Sequence, residues 1–200
     1  MSEALKKQFT LEQYLTREAE AVYKSEYFNG QIFAMAGGTP EHSIIAVNTC
    51  SQLAQQLEDR PCTVRNSDQR VRIPATGLLT YPDISVVCGD AVMDALDPNA
   101  LTNPVLIVEV LSEGTEAHDR GRKFVHYQRL TSLKQYVLIS SEVCRIDLFT
   151  RAEDGKTWEF IGSSDPHGSL ELSSIHCTLP LARVYAKVNV KPDPEYDSQQ

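Results

Sequence analysis

Two short apolar segments decide the fold: Tyr81-Pro82-Asp83-Ile84-Ser85-Val86-Val87-Cys88 and Pro104-Val105-Leu106-Ile107-Val108-Glu109-Val110-Leu111. Each is rich in β-branched residues and is bounded by turn-forming residues, which predicts a buried strand. Asp83 stands at the head of the first segment, and Glu109 lies inside the second. A carboxylate in an apolar strand is costly unless a cation or hydrogen-bond donors meet it. The pair therefore predicts neighbouring strands that share a divalent metal ion.

The bulk composition predicts one compact domain. A chain of 200 residues with 42% hydrophobic content can bury a sizeable core, so residues 1–190 are expected to form a single domain and residues 191–200 a disordered tail. No apolar run approaches the ~18 residues of a membrane span, and the N-terminus lacks a secretory signal. We therefore expect a cytoplasmic protein without a membrane partner. Its five scattered cysteines lack a CxxC pair and are expected to be reduced, mostly buried thiols.

The charge distribution is uneven although the net charge is −8. The segment from Asp83 to Asp119 holds eight acidic residues and no lysine or arginine, whereas the segment from Arg120 to Lys134 holds five basic residues and no acid. An acidic metal-binding stretch beside a basic helix is one interpretation and suits phosphodiester chemistry. The alternative is that the acids between the two strands simply solvate a loop.

The pattern of elements favours an α/β fold with a mixed central β-sheet flanked by helices and an N-terminal β-hairpin. Thr10 opens a capping box for a helix to about Ala21, and Asn29-Gly30 predicts a hairpin between residues 23–28 and 31–36. A helix is predicted from Pro40 to about Glu58. Further elements are strands near 63–65 and 69–73, a helix over 116–130, strands over 135–140 and 145–150, a hairpin of 158–161 with 170–172, and a helical turn within 179–185.

Asp83 and Glu109 are the predicted metal ligands. Mg²⁺ takes oxygen ligands, keeps several waters and needs few carboxylates, and Mn²⁺ is the expected substitute. A bound ion would activate water and neutralise a scissile phosphate. Two plainer explanations stand beside this one: Asp83 next to Pro82 caps a turn, and Glu109 forms a core salt bridge.

Three further side chains are candidates for the same site. Lys123 can supply a catalytic cation, or it can pair outward with Asp119 four residues earlier. His42, in the first turn after Pro40, can contact metal or phosphate, or be an ordinary buried or solvated histidine. Glu26 on the hairpin is a supporting candidate or a plain exposed strand residue.

Arginines supply the candidate nucleic-acid contacts. The cluster of Arg65, Arg70 and Arg72 either binds phosphates or lines a solvated sheet edge. The predicted basic helix adds a second group. The residues expected to bind nucleic acid are Arg70, Arg72, Arg120, Arg122 and Arg129.

The order of these blocks resembles the Uma family of putative restriction endonucleases, whose fold is like the PD-(D/E)xK restriction-endonuclease core. The likeness spans about Thr10 to Tyr185. It is carried by the two carboxylate segments together with Glu26-Tyr27-Phe28-Asn29-Gly30, Met35-Ala36-Gly37-Gly38-Thr39-Pro40-Glu41-His42, Asn66-Ser67-Asp68-Gln69-Arg70-Val71, Asp119-Arg120-Gly121-Arg122-Lys123-Phe124 and Leu133-Lys134-Gln135-Tyr136-Val137-Leu138-Ile139.

The resemblance assigns roles residue by residue. Asp83 corresponds to the PD aspartate and Glu109 to the (D/E) position. Leu111 stands where the core pattern places lysine, and the lysine of this family lies on the following helix, which implies Lys123. The family usually shows Pro-Ser-Thr after the second strand, where this chain has Glu113-Gly114-Thr115.

The resulting hypothesis is a Mg²⁺-dependent DNA endonuclease, acting as a homodimer because two-fold symmetry suits the cutting of two strands. Two alternatives remain. One is a non-catalytic module of the same fold that binds nucleic acid or protein. The other is a metal-dependent hydrolase of a small phosphorylated metabolite, which an acidic chain suits without a DNA-sized basic face.

Overall fold

A computed structural model of the protein describes residues 8–35 and 37–194. Its strands are β1 (Ser25–Phe28), β2 (Gln31–Ala34), β3 (Cys62–Asn66), β4 (Arg70–Ile73), β5 (Leu78–Thr80), β6 (Ile84–Cys88), β7 (Ala100–Leu101), β8 (Leu106–Leu111), β9 (Gln135–Ser140), β10 (Ile146–Arg151), β11 (Trp158–Ser163), β12 (Ser169–Leu172) and β13 (Cys177–Pro180). Its α-helices are α1 (Leu11–Glu20), α2 (Pro40–Gln56), α3 (Glu116–His118), α4 (Phe124–Tyr127) and α5 (Leu181–Val184).

A six-stranded mixed sheet forms the centre of the molecule, in the order β11-β10-β9-β8-β6-β3. Strands β8 and β9 run parallel, and the other neighbours in this sheet are antiparallel. The two carboxylate strands, β6 and β8, are direct neighbours, with Ile84 opposite Val108. The predicted α/β architecture with a mixed central sheet is confirmed.

Apolar side chains cover both faces of this sheet. One face packs against α2, α5 and β12–β13, with Ile45, Val108 and Leu172 among the buried residues. The opposite face packs against α4 and β4, with Tyr127 and Tyr136 at its centre. Since both faces are covered, a charged group on β6 or β8 lies in the interior unless it stands at a strand end.

The predicted N-terminal hairpin is confirmed and belongs to a second sheet of order β2-β1-β5-β4-β7. Asn29 and Gly30 have φ of 47° and 78°, the left-handed pair that a type I′ turn requires. The strand predicted to end at Ala36 ends at Ala34, and Ala36 itself lies outside the described residues. Strands β5 and β7, too short to give a periodic pattern, were not predicted.

The first two helices begin where the sequence predicted. Thr10 and Gln13 form the capping box of α1, and the side chain of Thr39 accepts from the backbone of His42 at the start of α2. The buried face of α2 is Ile45, Thr49 and Leu53, at a spacing of four. The apolar residues Ile44 and Val47 of the same helix are 37% and 65% exposed, so the buried stripe is narrower than the apolar pattern of the sequence.

The helix predicted over residues 116–130 is not continuous. It consists of α3, a π-helical turn from Asp119 to Lys123, and α4, which ends at Tyr127. A π-helical turn holds one residue more than an α-helical turn, so it shifts the side chains that follow it around the axis. Here Asp119 and Lys123 are buried, while Arg122 between them is exposed.

The C-terminal strands pair differently from the prediction. The expected hairpin of residues 158–161 with 170–172 is wrong: β11 pairs with β10, and β12 pairs with β13. Leu170, Leu172 and Leu179 join the core, whereas Phe160 and Ile161 on the edge strand are more than half exposed. The pairing of β12 with β13 thus places these leucines in the core. No helix in the described ranges is long and apolar enough to cross a membrane.

Two sequence expectations need correction. Cys62 and Cys88, paired across β3 and β6, form a disulfide, so not all five thiols are reduced. The tail does not begin to be disordered at residue 191, because Lys191 bridges to Val143 and Asp193 is buried against Arg145. Neither contact has a local sequence signal, since each joins segments distant along the chain. The last six residues of the tail lie outside the described ranges.

Candidate active site

Asp83 and Glu109 lie side by side where β6 begins. Asp83 directly precedes β6, and the backbone N–H of Val110 donates to its Oδ2 at 2.7 Å. The backbone N–H of Asp83 in turn points at Oε2 of Glu109, 3.4 Å away. The carboxylate of each residue therefore lies against a backbone N–H group at, or next to, the other residue. The sheet register brings them to one place despite their separation of 26 positions in the sequence.

Glu109 is buried among polar partners. Its Oε1 accepts from the hydroxyl of Tyr127 at 2.8 Å and lies 2.8 Å from Nζ of Lys123. Burial raises the pKa of Glu109 to about 8; Lys123 opposes the rise, and the negative charges of Asp119 and Asp83 add to it. An added cation would stabilise the ionised form of this carboxyl group, because its charge offsets the cost of ionising a buried acid.

Lys123 points inward from the π-helical turn, and its side chain is 6% exposed. Its Nζ lies 3.4 Å from Oε1 of Glu26 and 3.5 Å from Oδ1 of Asp119, in addition to the contact with Glu109. Burial favours the neutral amine, but these carboxylates hold the pKa of Lys123 well above its usual value. Lys123 is therefore a cation, and the i,i+4 contact with Asp119 exists alongside the contact with Glu109.

Glu26 reaches this cluster from β1. Its Oε1 accepts from the hydroxyl of Thr80 on β5, and its Oε2 lies 4.0 Å from Nε2 of His118. The side chain is 13% exposed, so Glu26 is not a plain solvated strand residue. The hairpin thus contributes a carboxylate to the surroundings of Lys123.

His42 approaches Asp83 from the first turn of α2. Its Nε2 lies 3.3 Å from Oδ2 of Asp83, and its side chain is 19% exposed. The hydrogen bond to Asp83 raises the pKa of His42, with further help from the backbone of Val110, against the opposing effect of burial. The N-cap of Thr39 fixes the turn from which the imidazole extends.

The surplus of acids makes the site suitable for a divalent cation. Four acidic side chains, from Glu26, Asp83, Glu109 and Asp119, face the ammonium of Lys123 and the imidazole of His42. Over the described ranges no three His, Cys, Asp or Glu side chains form a ready metal cluster. Mg²⁺, however, is commonly held by one or two carboxylates and its own waters. The adjacent pair Asp83 and Glu109 fits that requirement.

The five predicted nucleic-acid-binding arginines fall into two groups. Arg70 and Arg72 pair with Asp97 and Asp94, and Arg120 pairs with Glu116 and Asp147. Arg122 and Arg129 are exposed, and each is without a side-chain hydrogen bond or ion pair to the described residues. The acids expected to solvate a loop therefore serve partly as partners of Arg70 and Arg72.

Sequence reasoning did not assign Tyr127 and Thr80 to the site. Tyr127 donates to Glu109 and Thr80 donates to Glu26. Both stand in apolar segments, where a tyrosine or threonine is usually a packing residue. A polar atom in such a position needs a buried partner, and that requirement was the available signal.

Similarity to known proteins places the chain in a family. The profile of Uma2, described as "Putative restriction endonuclease", matches residues 11–182. Two uncharacterised proteins of Synechocystis sp., slr1290 and sll1609, are 39% and 30% identical over 87% and 85% of this chain, and over 90% and 96% of their own lengths. A crystal structure of a putative nuclease belonging to DUF820 from Anabaena variabilis superposes with a TM-score of 0.73 at 18% identity, covering 89% of this chain and 98% of that one. That likeness shows the shared fold. The chain belongs to the Uma2 family of putative restriction endonucleases.

Proposed function

We propose that this protein is a metal-dependent DNA endonuclease that hydrolyses phosphodiester bonds, with Mg²⁺ as its ion and Mn²⁺ as a substitute. The observation that carries the proposal is the buried contact between Lys123 and Glu109, directly beside Asp83. A pair of carboxylates and one fixed cation are the minimum for this chemistry. Membership of a family of nuclease-like proteins points to the same reaction class.

Asp83 and Glu109 would hold the ion, with the backbone carbonyl of Val110 as a third oxygen. When bound, the ion supplies a water of lowered pKa and neutralises charge on the phosphate. The N–H of Val110 orients the Asp83 carboxylate, and Tyr127 orients that of Glu109. Both ligands are thus held by the protein before an ion arrives.

Lys123 acts as a cation rather than as a base. Its pKa is held above the usual value by the surrounding carboxylates, which favours the protonated ammonium. An ammonium at this position stabilises negative charge that develops on the phosphate oxygens. Glu26 and Asp119 keep it aimed at Glu109, and His42 fixes Asp83 from the other side.

Cleavage of DNA is the direct test. Purified protein with Mg²⁺ or Mn²⁺ should nick supercoiled plasmid, and EDTA or Glu109→Ala should abolish nicking. Titration calorimetry with either ion should show binding to the wild type and none to Asp83→Ala. Asp90→Ala is the matched control, because Asp90 is an exposed acid outside the site. It should bind metal and cut like the wild type.

Two results would favour the alternatives. Binding of DNA without cleavage in either metal would identify a non-catalytic binding module. If the wild-type protein binds the metal ion but neither binds nor cuts DNA, a small phosphorylated substrate is favoured instead.

The same proposal includes a single domain and a homodimer, because concerted cutting of two strands suits two-fold symmetry. Light scattering on the purified chain gives the mass directly. A monomer at the concentration used for cleavage would rule out the dimer while leaving strand nicking untouched.

A further inference from the structure

A polar cavity lies beside the carboxylate cluster and is separate from it. It has a volume of about 530 Å³, and the described residues that line it include neither Asp83 nor Glu109 nor Lys123. Cavities of roughly 300–1,000 Å³ are typical of small-molecule sites. Tyr81 is part of its wall, only two residues before Asp83. The wall of the cavity therefore includes the segment that leads to Asp83.

Arg65 is the incompletely satisfied group in the cavity wall. Its Nη1 donates to Oε1 of Gln69 at 2.8 Å, while its Nε–H, shielded from solvent, has no partner among the described residues. A guanidinium offers five N–H donors, and Arg65 uses one of its terminal N–H groups on Gln69, so the other terminal N–H groups remain for a ligand.

The other charged groups of the wall are already engaged. Glu18 accepts from the backbone and hydroxyl of Ser25 and from the hydroxyl of Tyr81. Asp68 pairs with Lys24 at 2.6 Å, and Arg70 pairs with Asp97 at 3.0 Å. Arg65 is thus the charged side chain of the lining that is left to bind a ligand.

Gln69 holds Arg65 in place. Its Nε2 donates to the carbonyl of Arg70 at 2.9 Å and to the carbonyl of Asn99 at 2.7 Å, while its Oε1 accepts from Arg65. With both ends of the amide fixed, the guanidinium is oriented before a ligand enters. Such preorganisation lowers the entropic cost of binding.

The charge balance of the lining favours a nucleobase over a phosphate as the ligand of the cavity. The charged residues of the lining are two acids, Glu18 and Asp68, and two arginines, Arg65 and Arg70, so their formal charges cancel. A phosphate needs an excess of positive charge and would meet two carboxylates here. A nucleobase is neutral, and an acceptor edge such as that of guanine suits an arginine.

We propose that this cavity binds an unpaired nucleobase of the nucleic-acid strand, with Arg65 donating to its acceptor edge. The inference rests on the proposed nuclease function and adds to it a binding site for one base of the bound strand. A base reaches such a cavity from a single strand or after leaving the duplex stack. Arg65 is thereby a specificity residue, whereas Arg70 and Arg72 are structural partners of Asp97 and Asp94.

The test uses deoxynucleoside monophosphates as probes, in EDTA, so that it does not depend on cleavage. Binding of dGMP, dAMP, dCMP and TMP is measured by titration and compared with deoxyribose 5-phosphate. At least one nucleotide should bind the wild type more tightly than deoxyribose 5-phosphate does. Arg65→Gln should weaken that binding about tenfold, the effect of losing a good base contact.

Two further variants keep the result interpretable. Arg183→Gln removes the same charge from an exposed position on α5 and should leave the affinity unchanged. Asn99→Trp fills the cavity without altering Arg65 and should also weaken binding, which covers the case that Arg65→Gln does not fold. The proposal is overturned if no nucleotide binds, if deoxyribose 5-phosphate binds equally well, or if both cavity variants bind like the wild type. If the protein cuts DNA and yet gives one of these results, the base-binding proposal is wrong and the nuclease proposal stands.

Discussion

The ammonium of Lys123 lies 2.8 Å from Oε1 of Glu109, and both side chains are almost completely buried. A buried cation and the acidic groups around it depend on each other, because a charge left in the interior without compensation is costly. Lys123 also approaches Glu26 and Asp119. One cation therefore serves three carboxylates, and its loss affects stability as well as chemistry.

Replacement of Lys123 should abolish cleavage and also destabilise the protein. From the sequence, an exposed lysine would have been neutral for folding, but the buried contacts predict that Lys123→Ala costs about 3–5 kcal/mol of unfolding free energy. Urea unfolding measures this value. Arg122→Ala, one residue earlier and exposed, should change it by no more than about 0.5 kcal/mol. Equal stability of the two variants would contradict the buried cluster.

Glu109 should make stability depend on pH. Its pKa is about 8 in the folded protein, above its ordinary value, so the folded state holds a proton that the unfolded state has released. This contribution is complete below about pH 4.3 and is lost as pH rises through about 8. Without metal, the unfolding free energy of the wild type should therefore fall relative to that of Glu109→Gln between pH 5 and about pH 9. The measurement is urea unfolding in EDTA, with Asp90→Asn as the control. A pH-independent difference between wild type and Glu109→Gln would contradict the raised pKa.

The disulfide should be detectable and stabilising. Thiol titration of the unfolded, non-reduced chain should find three free cysteines, namely Cys50, Cys144 and Cys177. Closing a loop with a separation of 26 residues stabilises a fold by about 3 kcal/mol. Cys62→Ser should lose about that amount and become insensitive to a reducing agent. Cys50→Ser, a partly buried free thiol, is the control and should remain sensitive to it. Five reactive thiols would show that Cys62 and Cys88 are unpaired.

The salt dependence of DNA binding should separate the exposed arginines from the paired ones. Each phosphate contact contributes about −0.9 to the slope of log K against log salt concentration. Arg122→Gln and Arg129→Gln should each reduce the slope by about that amount, because both side chains are exposed and unpaired within the described ranges. Arg72→Gln should leave it unchanged, since Arg72 is held by Asp94. Anisotropy titrations in Ca²⁺ at several salt concentrations measure the slopes, and a uniform reduction in all three variants would contradict the assignment.

Local sequence signals predicted the elements that local physics controls. The capping box at Thr10, the Asn29-Gly30 turn and the start of α2 at Thr39 each depend on residues within four positions of one another. The two carboxylate strands were predicted by their β-branched runs, and their adjacency by the cost of leaving Asp83 and Glu109 without a partner. The π-helical turn at Asp119 was not predicted, because an apolar pattern typical of an α-helix does not encode one additional residue in a turn.

The sequence by itself determined the N-terminal hairpin, the two carboxylate strands and the carboxylate pair, and the family resemblance pointed to Lys123. Tertiary structure decided which charges meet. It buried Lys123 against Glu26 and Glu109, paired Arg70 and Arg72 with Asp97 and Asp94, and left Arg65 with a free donor. The physical reason is that a charge's surroundings depend on segments far away in the chain, whereas helix caps and turns depend on neighbours in sequence. Burial and pairing therefore become visible once the sheet has brought those segments together.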